Sequence, residues 1–460
     1  MSDRNEQTRN IAIIGFGSSG KTQLADTLLY NAKAVPGIGK VIDKTSNMVL
    51  EQEEFEHLTT ITASVATIEI NGMRLNIIDT PSQDGFIGET INALQSVDGA
   101  IFVMSAHTDI KQEMEMLLKQ TAALDLPVLF FLNKMDAENA DFYASLKEYS
   151  AHLNIPLTPV ALPLGSEHSF EGVYNLIDKT AALYPKDGSG HPKQGSRGAP
   201  PEAGEFEKKL IEAVAESDDS LLEKYLNNAK LDISELSGAI RKAVLSRALF
   251  PVVPGSALLN IGIDKLLEFC SLWLPHPTLL TTKVLLKSAD GVQTLESGKT
   301  DAEKPVVFVF KTSMDPYAGK MSYVRIFSGK LTPETVLYNA QTGSEEKTNH
   351  LHMMIGKKSK PIDSAQAGDI VALAKLQTTR TTDTLKGIKD AFHIQPLYKP
   401  SILARFEFKT PITSPVNDSG TTTVISIIGS SIMGVALSIH FLKANEPAIL
   451  NASSDESTTW

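Results

Sequence analysis

The 460-residue chain is poor in cysteine and tryptophan, with one of the first and two of the second. A single cysteine, Cys270, excludes an internal disulfide and points to a reducing compartment, so a cytoplasmic location is expected. Cys270 lies in the apolar run LLEFCSLWL with no catalytic partner beside it, and reads as a small buried hydrophobe. Positive charge is also scarce. The 43 Lys and Arg are outnumbered by 54 Asp and Glu, for a net −11. That excludes a protein that coats nucleic acid over its whole surface, but leaves room for a local basic patch. The polar start, MSDRNEQTRN, lacks the apolar core of a secretory leader. One stretch alone, 424–442 (VISIIGSSIMGVALSIHFL), is apolar over membrane-spanning length. Its serines, glycines and histidine favour buried elements of a soluble domain over a membrane helix, so no membrane partner is expected.

What is present is a globular composition, 42% hydrophobic and 21% charged. At roughly 100–200 residues per domain, the length suggests about three domains. The apolar run IAIIG (11–15), glycines, and the helical stretch GKTQLADTLLYNA read as strand, loop, helix. TASVATIEI (62–70), the turn Asn71-Gly72 and MRLNIID (73–79) read as a hairpin. GAIFVMSA (99–106) and PVLFFLN (127–133) are buried-type strands with a helical stretch between them, which predicts a parallel, doubly wound sheet. Residues 185–204, rich in Pro, Gly and Ser, are expected to form a mobile linker, with two amphipathic helices after it. PVVPGSA (251–257) then reads as a last strand before the helix IDKLLEFCSLWL. From Val306 onward short strands at regular spacing (VVFVFKT, MSYVRIFSG, TVLYNA, DIVALAK) predict a small antiparallel barrel.

Four motifs carry chemistry. Gly15-Phe16-Gly17-Ser18-Ser19-Gly20-Lys21-Thr22 fits GxxxxGK[ST], in which backbone N–H groups and the lysine cradle phosphates and the threonine hydroxyl faces Mg²⁺. An ordinary glycine-rich turn is the bland reading of that pattern, and the strand before it and helix after it argue against it. Asp79-Thr80-Pro81 ends a strand and supplies an acidic group for Mg²⁺. Asn133-Lys134-Met135-Asp136 ends another. The Asp136 carboxylate can accept from guanine N1–H and N2–H₂, a donor pair adenine lacks, while Asn133 reaches the base edge and Lys134 covers the ring. Gly255-Ser256-Ala257 offers backbone N–H groups to guanine O6. Together the four motifs predict binding of GTP and GDP.

With these motifs in place, the chain resembles bacterial elongation factor G, the translational GTPase that moves tRNA and mRNA through the ribosome, and more particularly its divergent paralogues. The span between Asn133 and Gly255 is longer than a minimal GTPase needs. Residues 163–177 and 210–226 resemble the family's inserted subdomain, while VRIFSGKL (324–331), AGDIVAL (367–373) and DTL (383–385) resemble its second-domain barrel. ILARFEF (402–408), 436–450 and DESTTW (455–460) resemble the opening of its third domain. The resemblance therefore implies an α/β P-loop GTPase domain over 1–280, with an inserted subdomain at about 160–250. An antiparallel barrel over 281–385 follows, then a linker and an incomplete α+β third domain over 386–460. The chain is expected to be C-terminally truncated, monomeric and unable to drive translocation alone, since the family does that with a fourth domain.

By resemblance Thr60, in Glu56-His57-Leu58-Thr59-Thr60, takes the place of the switch I threonine that binds Mg²⁺ and senses the γ-phosphate; the family's Arg-Gly before it is absent. The metal set is then Thr22, Thr60 and Asp79. The acidic run EQEEFE here has a bland reading as a solvated face. Ser18 replaces the family's usual aspartate. The family's Asp-Thr-Pro-Gly-His becomes Asp79-Thr80-Pro81-Ser82-Gln83, with glutamine where histidine orients the attacking water. Gln83 either places that water, as in small GTPases, or marks a site that has drifted from fast hydrolysis. His107 and His168 read as surface histidines. Two functions stay open: a GTP-hydrolysing factor at the ribosome, using Lys21, Thr60 and Gln83, and a GTP-binding module or truncated remnant without useful turnover. Lys357-Lys358-Ser359-Lys360 is either a docking patch for the ribosome or a solvated loop.

Overall fold

A computed structural model of the chain describes residues 4–107, 110–194, 197–216, 223, 232–279, 283–288, 291–296, 304–315 and 318–397. The expected strand at 402–408, the apolar stretch at 424–442 and the third-domain resemblance lie outside them, as does most of 217–226.

The first sheet is built on β1 (Thr8–Ile14), flanked by β3 (Met73–Asp79) and β4 (Gly99–Ser105), all parallel. Beyond β4 come β5 (Val128–Asn133), β11 (Phe250–Pro254) and β6 (Leu157–Pro159), also parallel. These strands read as near-continuous apolar runs because both faces are covered; Ile11–Ile14 and Ala100–Met104 are essentially inaccessible. Only β2 (Ser64–Ile70) runs antiparallel, paired with β3 from Ser64↔Asp79 to Ile70↔Met73. That register leaves Asn71 and Gly72 as a two-residue turn, both at positive φ (51° and 75°), which is why an Asn-Gly pair stands there. The phosphate loop, Asp79, Asn133 and Gly255 all emerge at the C-terminal ends of these parallel strands, where open α/β sheets place their ligands.

Helices α1 (Lys21–Asn31), α2 (Gln52–His57), α3 (Ile87–Leu94), α4 (Glu113–Ala123) and α5 (Phe142–Leu153) precede β6 in the chain. Between β6 and β11 the chain adds a four-stranded antiparallel sheet, β7 (Ala161–Leu164), β8 (Gly172–Asn175), β9 (Ala181–Leu183) and β10 (Lys193–Gln194), with α6 (Ala203–Ala215) and α7 (Ile233–Leu245). The chain returns through β11 to α8 (Ile263–Trp273), where Cys270 is fully buried and its thiol is pushed up to about 12 by desolvation. The Pro/Gly/Ser tract is not a free linker. Lys193 and Gln194 pair with β9, and Asn260 Nδ2 donates to the Gly188 carbonyl at 3.1 Å. Backbone polar groups found partners there that composition alone does not disclose.

The β-rich part follows: β12 (Lys283–Ser288), β13 (Gly291–Glu296), β14 (Val306–Asp315), β15 (Gly319–Ser328), β16 (Lys330–Leu331), β17 (Thr335–Asn339), β18 (Glu345–Thr348), β19 (His350–Ile355), β20 (Lys358–Ile362), β21 (Ala365–Gln366), β22 (Ile370–Ala374), β23 (Thr384–Lys386) and β24 (His393–Ile394). The paired order β18-β17-β23-β14-β15-β22-β19-β20 is antiparallel throughout and barrel-like. Val307, Val309, Val324, Ile326, Val371 and Leu373 fill its interior. The alternate residues Phe308, Phe310, Tyr323, Phe327, Ile370 and Ala372 join the core cluster of the first sheet and its helices instead. Strand β14 is thus apolar on both faces because it lies between two cores.

Polar contacts cross the same boundary. The Arg325 guanidinium meets both Asp98 carboxylate oxygens at 2.9 and 3.0 Å, with both side chains buried. Asn10 Nδ2 also donates to Asp98 at 2.6 Å, and Asn76 Nδ2 donates to Asn10 at 2.6 Å. At the β19–β20 turn, Ile355 pairs with Ala66 of β2 and the Gly356 N–H donates to the Val65 carbonyl at 3.0 Å. Among the described residues no helix is long and apolar enough to cross a membrane.

Candidate functional site

The loop between β1 and α1 is shaped by glycines where side chains do not fit. At Gly15 a Cβ would stand 2.3 Å from the Val103 carbonyl oxygen. At Gly20, which caps α1 at φ 97°, a Cβ would stand 2.3 Å from Asn133 Nδ2. Ser18 holds a left-handed φ of 62°, a strained position for serine. Lys21 is buried and its ammonium donates to the Phe16 carbonyl at 3.0 Å, across the mouth of the loop. Ser19 is buried too, and its hydroxyl has no hydrogen-bond partner.

Three oxygen-bearing side chains converge next to Lys21. Thr22 Oγ1 donates to Asp79 Oδ2 at 2.7 Å and lies 3.1 Å from Thr60 Oγ1. The other Asp79 oxygen, Oδ1, is buried without a partner. Desolvation drives the Asp79 carboxyl up, with the Thr22 hydrogen bond and Lys21 pulling it back. Desolvation also drives the Lys21 ammonium down, with Asp79 opposing. A buried carboxylate with an unpaired oxygen beside two hydroxyls is an oxygen set for a hard divalent cation whose remaining ligands come from phosphate. Among the described residues no cluster of three His, Cys, Asp or Glu side chains offers an alternative metal site.

The segment carrying Thr60 is held by a residue that composition hides. Glu54 is buried, and its two carboxylate oxygens accept four backbone N–H bonds. Leu50 and Glu51 donate to one, at 2.8 and 3.0 Å; Ile61 and Thr62 donate to the other, at 2.7 and 3.1 Å. The reading of EQEEFE as a solvated face is therefore corrected at Glu54. Asp26 on α1 acts similarly for the preceding loop. It is buried, its carboxyl is raised by desolvation, and it accepts from Ser46 Oγ, Asn47 N and Asn47 Nδ2.

Gln83 is exposed, and its amide donates to Thr59 Oγ1 at 3.4 Å, outside the oxygen cluster. Ser82 Oγ lies 3.6 Å from where a Cβ of Gly17 would stand, so the serine borders the phosphate loop. His107 and His168 are exposed, as expected.

On the base side, the residues assigned to guanine are also joined to the rest of the site. Asn133 links two of its loops. Its Nδ2 donates to the Ser19 carbonyl and its Oδ1 accepts from the Ala257 N–H, each at 2.9 Å, so it ties the phosphate loop to the 255–257 turn. The N–H groups of that turn are likewise engaged: Gly255 with Leu132, Ser256 with Ile261, Ala257 with Asn133. Thr27 fastens the same turn from α1, donating to the Ala257 carbonyl at 2.8 Å. Asp136 is half-buried, with no hydrogen bond to its carboxylate among the described residues, and Lys134 precedes it at a left-handed φ of 63°.

Residues 6–276 match the family described as Elongation factor Tu GTP binding domain, and residues 304–387 match Elongation factor G domain 2. The chain belongs to the translational GTPases of the elongation factor G type. It is similar to the protein ttk003000868 from Thermus thermophilus, known from a crystal structure, with 28% identity and a TM-score of 0.72. That match covers 83% of this chain and 54% of the other, so the translational GTPase described here spans about half the length of that relative. The family match makes this a guanine-nucleotide-binding fold. Glu54, Asp26 and Thr27 are the residues of this translational GTPase that sequence reasoning missed. In the structure Glu54 forms a reciprocal capping box with Glu51 at the start of α2, but a glutamate N-cap lies outside the Ser/Thr/Asp/Asn signature, so the sequence carried no signal for it.

Proposed function

We propose that this protein binds GTP and GDP together with Mg²⁺ and hydrolyses GTP, acting as a monomer at the factor site of the ribosome in the cytoplasm. The observation that carries the reading is the convergence of Thr22, Thr60 and Asp79 beside Lys21 at the mouth of the phosphate loop. Mg²⁺ held by those oxygens would offset charge on the β- and γ-phosphates. Lys21 turns from the Phe16 carbonyl to the phosphates, and the loop N–H groups and the start of α1 supply the rest of the cradle. Asp136 pairs with the guanine N1–H and N2–H₂ donors. Gln83 places the attacking water after leaving Thr59. With a net charge of −11, docking on ribosomal RNA needs a locally basic surface, and Lys358 and Lys360 on β20 are exposed to provide one.

The exposed position of Gln83 favours a second reading, a GTP-binding module with little turnover. GTP hydrolysis measured with and without ribosomes, for wild type and Gln83→Ala, separates the two. Ribosome-stimulated hydrolysis that falls about a hundredfold on substitution, the scale of loss when a reacting group is misplaced, supports the enzyme. Tight GTP binding without turnover in the wild type supports the module.

A further inference from the structure

Residues 61–63, which follow Thr60 directly, are gripped from three directions. Glu54 of α2 takes the Ile61 and Thr62 N–H groups. Glu89 of α3, just beyond the Asp79–Gln83 segment, accepts from the Ala63 N–H at 3.2 Å. Lys311 of β14 reaches across from the barrel and donates its ammonium to the Ala63 carbonyl. Lys311 is buried and packs over the Tyr323 ring, 5.4 Å from its centroid. Burial disfavours its charge, and Glu89, Glu54 and Glu51 sustain it. A buried cation held against one backbone carbonyl and facing three carboxylates is costly unless the geometry is fixed. The carbonyl it fixes lies three residues from Thr60.

We propose that Glu54, Glu89 and Lys311 form a clamp on residues 61–63 that positions Thr60, and that through Lys311 the barrel takes part in distinguishing GTP from GDP. The proposal rests on the nucleotide reading above, in which Thr60 answers to the γ-phosphate. These are positioning residues: none of them touches the nucleotide. Helix α3 and the barrel strand β14 also touch each other. A shift of either element therefore reaches Thr60 through Ala63, a route that needs no movement of the phosphate loop.

The test is the ratio of affinities for a non-hydrolysable GTP analogue and for GDP, titrated against the full chain with fluorescent nucleotides. Lys311→Met keeps the aliphatic stem and removes the charge and donor. It is expected to weaken the GTP analogue about tenfold or more, in keeping with loss of a charged hydrogen bond, and to leave GDP within about twofold. A general loss of structure would weaken both alike. Glu54→Gln is the second variant, expected to act in the same direction, and it decides the matter if Lys311→Met does not fold. An unchanged ratio in folded variants, with wild-type binding intact, overturns the clamp alone. A wild type that binds neither nucleotide overturns the nucleotide reading before any variant is made.

Discussion

At the residue scale, Asp136 is the group on which the choice of base turns in the reading proposed above. It is half-buried, its carboxylate accepts no hydrogen bond among the described residues, and guanine is the base that offers it two donors. Asp136→Asn replaces one acceptor with a donor, so affinity should move from guanine toward xanthine nucleotides. Competition of GDP and XDP for a fluorescent nucleotide should show GDP weakened at least about tenfold, as expected for a lost charged hydrogen bond; equal GDP affinity in variant and wild type would remove Asp136 from the base site. Gly20, Lys21 and Thr22 were legible in the sequence because a phosphate loop needs its glycines and cation at fixed offsets. Glu54 was legible only in hindsight, because four glutamates in EQEEFE have the same chemistry and differ only in which way the helix turns them. Asn133 was legible as a motif residue, but the motif did not disclose that its amide also joins two loops.

At the element scale, the hairpin β2–β3 and the buried strands of the first sheet followed from alternation, turn chemistry and apolar runs. Residues 188–194 of the Pro/Gly/Ser tract did not, because their partners are β9 and Asn260, distant in sequence or without a pattern. The loop after β22 shows how one side chain can fasten a segment that has no pattern of its own. Glu346 of β18 is buried and accepts from the Gln377, Thr378 and Thr379 N–H groups and from both threonine hydroxyls. Desolvation pushes its carboxyl up, but these hydrogen bonds outweigh it and leave it below the ordinary 4.5. A depressed acid binds fewer protons folded than unfolded, so its stabilisation is fully present above about pH 4.5 and is lost as pH falls through the folded value. Thermal unfolding followed from pH 6 down to pH 3 should therefore show a decline that Glu346→Gln flattens. At pH 6 the same variant should cost about 1–3 kcal/mol, the usual range for breaking hydrogen bonds to a buried charged group. An identical pH profile for the two proteins would rule Glu346 out as a source of the decline.

At the scale of the whole molecule, the first sheet and the barrel are joined by a buried ion pair, a polar chain and a shared apolar layer. Sequence reading found both parts but not their contact, since Asp98 and Arg325 stand 227 residues apart and the resemblance at 324–331 places Arg325 in the barrel without naming a partner for it. Burial raises the Asp98 carboxyl, and Arg325 draws it back down. Arg325→Met should cost about 3–5 kcal/mol, because it removes the ion-pair partner of a buried carboxylate and leaves the neutral Asn10 amide as a donor to it. Adding Asp98→Asn should recover part of that loss, and urea unfolding of the two single variants and the double variant measures the coupling. Strict additivity would mean that the pair contributes nothing specific.

The two-sided burial of β14 also bears on how the protein can be divided. Phe308, Phe310, Tyr323 and Phe327 face outward from the barrel yet are buried against the first sheet and its helices. A barrel excised at the family boundary would carry that row of aromatic side chains into water as one contiguous patch, the kind of surface that drives association. The segment matched as domain 2 is thus a recognisable unit of descent without being a self-sufficient unit of solubility.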